Sequence, residues 1–187
     1  MSNRTVRESL SLAILGCSAA GGLIAAPSWN GAFLEPCHLA AICGGATAVL
    51  LFATRFLGPV GAGIERVWIG VFLAGMPLVY IARWFVATGV DASRVWLWVE
   101  LAGFPIFVAL AALGFKRSPW FLSAGIVAHG LGWDAWHLFG SRYVPAWYAA
   151  GCLVVDIGLG AYVAIRIPAW REAGPERTLF GLRPSGS

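Results

Sequence analysis

The run Val95–Phe115, VWLWVELAGFPIFVALAALGF, carries a single ionisable side chain, Glu100, across its whole length. At about 1.5 Å of rise per residue, a helix of this length covers the roughly 30 Å hydrocarbon core of a bilayer. A helix that is apolar on every side is either buried in a large core or surrounded by lipid. Composition selects lipid. The 187 residues are 59% hydrophobic and 12% charged, and the mean hydropathy is +0.75, whereas a water-soluble domain lies nearer half apolar and a quarter charged.

Outward from this run, the sequence offers apolar stretches of similar kind near 10–26, 33–56, 67–87, 120–139 and 146–165. The breaks between them carry helix-stop and helix-start chemistry. Pro27 follows the first stretch, Gly58-Pro59-Val60-Gly61 the second, and Asp91-Ala92-Ser93 precedes the fourth; Ser118-Pro119 opens the fifth and Pro145 the sixth. The expectation is an all-α integral membrane protein: one transmembrane domain over 1–187, built as a bundle of about six helices with short antiparallel connections. From about Pro168 the chain turns polar and reads as a solvated tail. The first stretch, preceded by Arg4 and Arg7, also admits a signal-peptide reading, although no small-x-small site leads into a polar start.

Charge placement orients the bundle. Ten basic residues (Arg4, Arg7, Arg55, Arg66, Lys116, Arg117, Arg166, Arg171, Arg177, Arg183) fall on the amino-terminal side of the expected spans, and two (Arg94, Arg142) on the other. The positive-inside rule then places both termini in the cytoplasm of a multi-pass inner-membrane protein. The pI near 9.2 reports this topology, so no nucleic-acid partner is implied. Most of the tryptophans, Trp68, Trp84, Trp96, Trp98, Trp120 and Trp147 among them, sit near expected helix ends, as an interfacial belt does. Cys17, Cys37, Cys43 and Cys152 show no C-x-x-C spacing and read as small packing residues.

Ionisable residues inside apolar runs cost a few kcal/mol each on insertion scales and mark partners or functions. Here they are Glu35, His38, Arg83, Glu100, His129, Asp134, His137 and Asp156. Reflecting antiparallel helices about their connecting turns compares depths. His38 comes level with Trp84, Arg83 with Glu100, Glu100 with Trp133 and Asp134, and His129 comes within a turn of Asp156. His129 and Asp156 thus floor, near mid-depth, a polar pocket whose other members lie toward the outer face. Gly125, Ala128 and Gly132 offer a small-residue strip for close backbone approach.

The densest signal is Ala128-His129-Gly130-Leu131-Gly132-Trp133-Asp134-Ala135-Trp136-His137. Imidazoles and carboxylates are the usual ligands of zinc and iron, and a held metal can activate water. His129 and His137 lie eight residues apart, about 12 Å along an α-helix, too far to share one ion. The expected ligands of a divalent metal such as zinc are therefore Asp134 and His137, with Glu100 or His38. His129 with Asp156 would handle protons, and Arg83 would bind an anionic group. A purely structural alternative has His129 bonding Asp156 and Arg83 pairing with Glu100, each intramembrane pair contributing about 0.6–2 kcal/mol. Bis-His haem ligation by His38 and His137 is a further option. No phosphate loop, nucleophile elbow or H-E-x-x-H signature is present.

The functional expectation is a metal-assisted hydrolase acting on a membrane lipid or small amphiphile. The alternatives are a small proton-coupled transporter in which Glu100, Asp134 and Asp156 titrate, and an accessory subunit bound to a membrane-protein partner or to a second copy.

Overall fold

The computed structural model describes residues 3–24, 35–87 and 93–173, and among them every regular element is helical. The elements are α1 (Asn3–Ile24), α2 (Pro36–Thr54), a 3₁₀ turn (Arg55–Leu57), α3 (Gly58–Val86) and α4 (Arg94–Lys116). They are followed by α5 (Trp120–Ala128), a π-helical segment (His129–Asp134), α6 (Ala135–Phe139) and α7 (Ala146–Ala173). The breaks expected at Pro27 and Asp91-Ala92, and the tail beyond 173, fall outside the described residues.

Local chemistry explains the boundaries. Pro36 sits in the first turn of α2, where its missing N–H is no loss, and the Glu35 carboxylate accepts from the His38 backbone N–H at 3.1 Å. Glu35 is therefore a cap at the helix mouth, whereas the sequence reading set it inside a span. Ser93 caps α4 through the Val95 N–H at 3.3 Å. The joint between α2 and α3 is so tight that a Cβ on Gly61 would lie 1.9 Å from the Thr54 carbonyl oxygen. Gly58 takes the left-handed backbone there, φ 57°.

Among the described residues, three stretches are long and apolar enough to cross a membrane: Pro36–Val86, which contains both α2 and α3, Arg94–Lys116, and Ala146–Glu172. Large apolar side chains stay exposed around the molecule, among them Val49, Phe85, Trp98 and Phe139. That is how a lipid-facing surface differs from a water-facing one. Two boundaries differ from the sequence reading. α3 begins at Gly58, nine residues before the expected span, and takes Glu65 and Arg66 into the helix. α7 continues through Pro168 to Ala173, so the first residues of the expected polar tail are helical. Burial of Ile167 and Trp170 holds that extra turn against the loss of the proline's hydrogen bond.

α7 is the central element, packed on α1, α3, α5 and the π segment, while α3 packs on α2 and α4, and α4 on α5. One apolar core runs through Leu51, Ile69, Leu73, Leu122, Ile126 and Val163. A second, near the α6–α7 turn, gathers Cys37, Tyr80, Tyr143, Tyr148 and Ala149. Polar ties close the ends. Arg66 donates to the Gly114 and Phe115 carbonyls at the end of α4, at 3.0 and 2.9 Å, and Arg55 donates to Ser11 on α1 at 2.7 Å.

Candidate functional site

The stretch 120–139, expected as one helix, is broken by the π segment at His129–Asp134. Its backbone bonds run i to i+5, so residues five apart come onto one face; on an α-helix the same pair would stand about 140° apart. His129 and Asp134 are five apart. His129 Nδ1 lies 3.5 Å from Asp134 Oδ1 and 2.8 Å from Asp156 Oδ2 on α7. One ligand-type atom from each of His129, Asp134 and Asp156 lies within 4.8 Å of the other two, and all three residues are buried.

Gly130 makes the third member reachable, because a Cβ there would stand 2.9 Å from Asp156 Cβ. Gly132, by contrast, faces open space, so the close approach is made at 130 and at Gly125 against Leu73 rather than at 132. Gly130→Ala is expected to lower stability by about 1–3 kcal/mol through overpacking, with Gly132→Ala neutral or slightly stabilising. Thermal unfolding in detergent compares the two.

Around this triad the side chains are ordered. The Tyr80 hydroxyl donates to Asp134 Oδ1, and the Phe107 ring packs edge-on to the His129 imidazole, 5.0 Å between centroids. His129 Nδ1 is engaged with Asp156, while Nε2 and Asp134 Oδ2 are both buried with no hydrogen-bond partner among the described residues. Two carboxylates face one imidazole, with no lysine or arginine paired to either among the described residues. The other enclosed carboxylates are each matched by a basic group: buried Glu65 by Arg166, buried Glu100 by His137, and half-buried Glu35 by Arg83 and His38. The triad thus sets two carboxylates against one imidazole and holds two ligand-type atoms without a hydrogen-bond partner.

The expected metal set is not brought together. The Tyr80 ring stacks on His137 at 4.1 Å while its hydroxyl reaches Asp134, and so it stands between those two residues. His137 pairs instead with Glu100: Nε2 lies 2.8 Å from Oε1 but off the line of a directed hydrogen bond, and Nδ1 sits 2.8 Å from Ser141 Oγ. Glu100 also accepts from Tyr143 and Trp133, both at 3.1 Å, and Gly103 leaves room for that indole. His38 belongs to a third group, 3.0 Å from Glu35 and tilted on Trp147, so neither the metal role nor the haem pairing with His137 has support in its position. Arg83 stands 3.4 Å from Glu35 and donates to the Tyr143 carbonyl at 3.0 Å, which corrects its expected pairing with Glu100.

A cavity of about 560 Å³ runs between α2, α3 and α7, and Tyr80, His129 and Asp156 form part of its wall. The rest is almost wholly apolar. Leu39, Val71 and Leu78 line it and are also exposed on the apolar flank of the molecule, so the cavity communicates with that flank. Arg83 does not line it.

One buried site escaped the sequence reading. Glu65, fully buried, accepts from Thr54 at 3.1 Å and Tyr162 at 3.0 Å through Oε1. Through Oε2 it accepts from Arg166 Nε at 2.9 Å and Trp170 at 2.8 Å. Its spacing with Ala62, Ile69 and Leu73, all buried on α3, is the helical signal that could have found it.

Compared with protein-family models, curated proteins and solved structures, the chain has no match in any of the three.

Proposed function

We propose that this chain is a multi-pass inner-membrane hydrolase, its six apolar stretches crossing the bilayer and both termini cytoplasmic. In this reading a divalent cation held by the His129–Asp134–Asp156 triad assists cleavage of an amphiphile that enters from the lipid. The observation that carries this is the buried cluster of one imidazole and two carboxylates, with ligand-type atoms within 4.8 Å of one another and with His129 Nε2 and Asp134 Oδ2 unpartnered, beside an apolar cavity. A divalent ion neutralises two carboxylates, and imidazole with carboxylate is a donor set that zinc accepts.

The residue roles follow from the contacts. Asp156 holds the His129 ring so that Nε2 is the free nitrogen, and Tyr80 does the same for Asp134 through its hydroxyl. When bound, the cation would polarise a carbonyl and ease deprotonation of water. A water added to the carbonyl carbon would give its proton to Asp156, which would pass it to the leaving oxygen or nitrogen as the bond to the carbonyl carbon breaks. The roles given in the sequence reading to His137, Glu100, His38 and Arg83 become supporting ones. They brace the α3, α4 and α6–α7 elements around the triad.

Elemental analysis of the detergent-purified protein, prepared without chelator, tests the reading. Near-stoichiometric zinc or iron that His129→Ala loses is the expected result. Protein without metal, after reconstitution with zinc, manganese and iron, sinks the hydrolase. The triad would then neutralise itself with shared protons, which is the transporter's chemistry.

A further inference from the structure

The cavity extends well to either side of the triad, and this says what shape of molecule fits. On α3 its lining runs from Trp68 to Ala82. Two contacts bracket the level of Asp156 on that helix. Glu65 pairs with Tyr162 and Arg166 on antiparallel α7, so counting up from there brings Asp156 to about Leu73. A Cβ on Gly125 would meet Leu73, and Gly130 meets Asp156, so counting along α5 and the π segment brings it to about Leu78. Both fall near the middle of the lined stretch. About 10 Å of cavity therefore lies on each side of the polar triad, toward Trp68 at one end and toward Ala82 and Trp147 at the other.

Among the described residues, neither half holds a charge. Among the described lining residues Asp156 is the one carboxylate, and none is a lysine or arginine that could meet a phosphate or a free acid. Gly45 and Gly75 keep the space open, since a Cβ on either would touch nothing within 4 Å. A molecule with its polar group at one end would leave one half of the cavity empty, or place its headgroup among apolar walls. Burying such a group without partners is unfavourable by several kcal/mol.

We propose that the substrate is an uncharged, extended chain whose hydrolysable carbonyl is internal: an ester or amide joining two hydrocarbon arms, one in each half of the cavity. This rests on the hydrolase reading above and narrows its substrate class. The reaction is R–CO–X–R′ plus water giving R–COOH plus HX–R′, where X is oxygen or NH, with no oxidant or further reactant.

Two isomers of equal chain length separate the alternatives: N-octylnonanamide, with its amide in the middle, and heptadecanamide, with its amide at the end. Binding to the metal-loaded, detergent-solubilised protein is read from the shift of the thermal midpoint over a ligand titration. The internal amide is expected to bind at least about tenfold more tightly, because the terminal one leaves the triad's polar atoms unmet. Gly45→Phe, filling the Trp68 half, and Ala82→Trp, narrowing the other end, should each weaken binding of N-octylnonanamide, their unliganded midpoints showing that both variants fold. Equal or tighter binding of heptadecanamide overturns the proposal, as does undiminished binding in either filled variant. Metal content measured on the same samples keeps the two readings apart. Metal retained without the preference sinks only the substrate class, and metal absent sinks the hydrolase whatever the amides do.

Discussion

Asp134→Asn is expected to remove the bound cation altogether, whereas Asp156→Asn weakens it by about 10–100-fold and leaves a site that excess metal refills. The difference comes from which atoms are already spoken for. Asp156 Oδ2 receives the His129 Nδ1–H, and an asparagine carbonyl oxygen can receive the same proton, so the imidazole keeps its orientation and its free Nε2. Asp134 has an oxygen with no partner, Oδ2, and that atom is the one an ion would take. Its loss also halves the carboxylate charge of the triad.

The folded state should tolerate the change. Asparagine keeps an acceptor for the Tyr80 hydroxyl and nearly the same volume, and it relieves repulsion between two buried carboxylates within reach of one imidazole. Metal-free Asp134→Asn should therefore unfold at or above the temperature of metal-free unmodified protein. Adding zinc at a hundred times its dissociation constant should stabilise the unmodified chain by about 2.7 kcal/mol and the variant not at all. Elemental analysis with thermal unfolding, chelator against zinc, reads both. A variant that binds zinc as tightly as the unmodified protein would refute Asp134 as a ligand.

How much of this was legible in the sequence depends on which interactions are periodic. Apolar run length marked out the helices, and reflection about the turns brought Glu100 level with Trp133, which donates to it, and His129 within reach of Asp156. Those inferences need only a constant rise per residue. Facing is harder, because it depends on phase. The π segment shifts the phase by inserting i-to-i+5 bonds, so a reading at 100° per residue turned Asp134 toward His137 when it in fact lies under His129. Gly130 and Gly132 in that segment are weak helix formers and hint at irregularity, yet nothing in their spacing says where the extra residue goes. Tyr80 was invisible for another reason. A tyrosine in an apolar run is ordinary core, and only tertiary contact shows its ring lying against His137 and its hydroxyl on Asp134. Glu65 fell outside the expected span 67–87, and so it was not among the ionisable residues weighed inside the apolar runs.

That misplaced residue has a large expected effect of its own. Glu65→Gln should destabilise the protein by about 3–5 kcal/mol, because it strands a buried arginine. Arg166 is 9% exposed, and both its Nε and its Nη2 point at Glu65 Oε2, the latter at 2.8 Å. A glutamine cannot serve the guanidinium, the Trp170 indole and the Tyr162 and Thr54 hydroxyls together, and its own amide hydrogens compete for the space. Because those donors come from α2 and α7 while Glu65 stands on α3, the loss should loosen all three helices at that end rather than fray one. The double variant Glu65→Leu with Arg166→Met removes both charges and should recover much of the stability, since a well-packed apolar replacement of a buried ion pair is often neutral or better. A double-mutant cycle on thermal midpoints in detergent measures that coupling. The cycle also separates brace from site. Metal content should be the same in every folded member, because Glu65 is tied to Tyr162 and Arg166, more than a turn along α7 from Asp156. Stable Glu65→Gln protein that has lost its metal would instead place this carboxylate within the working centre.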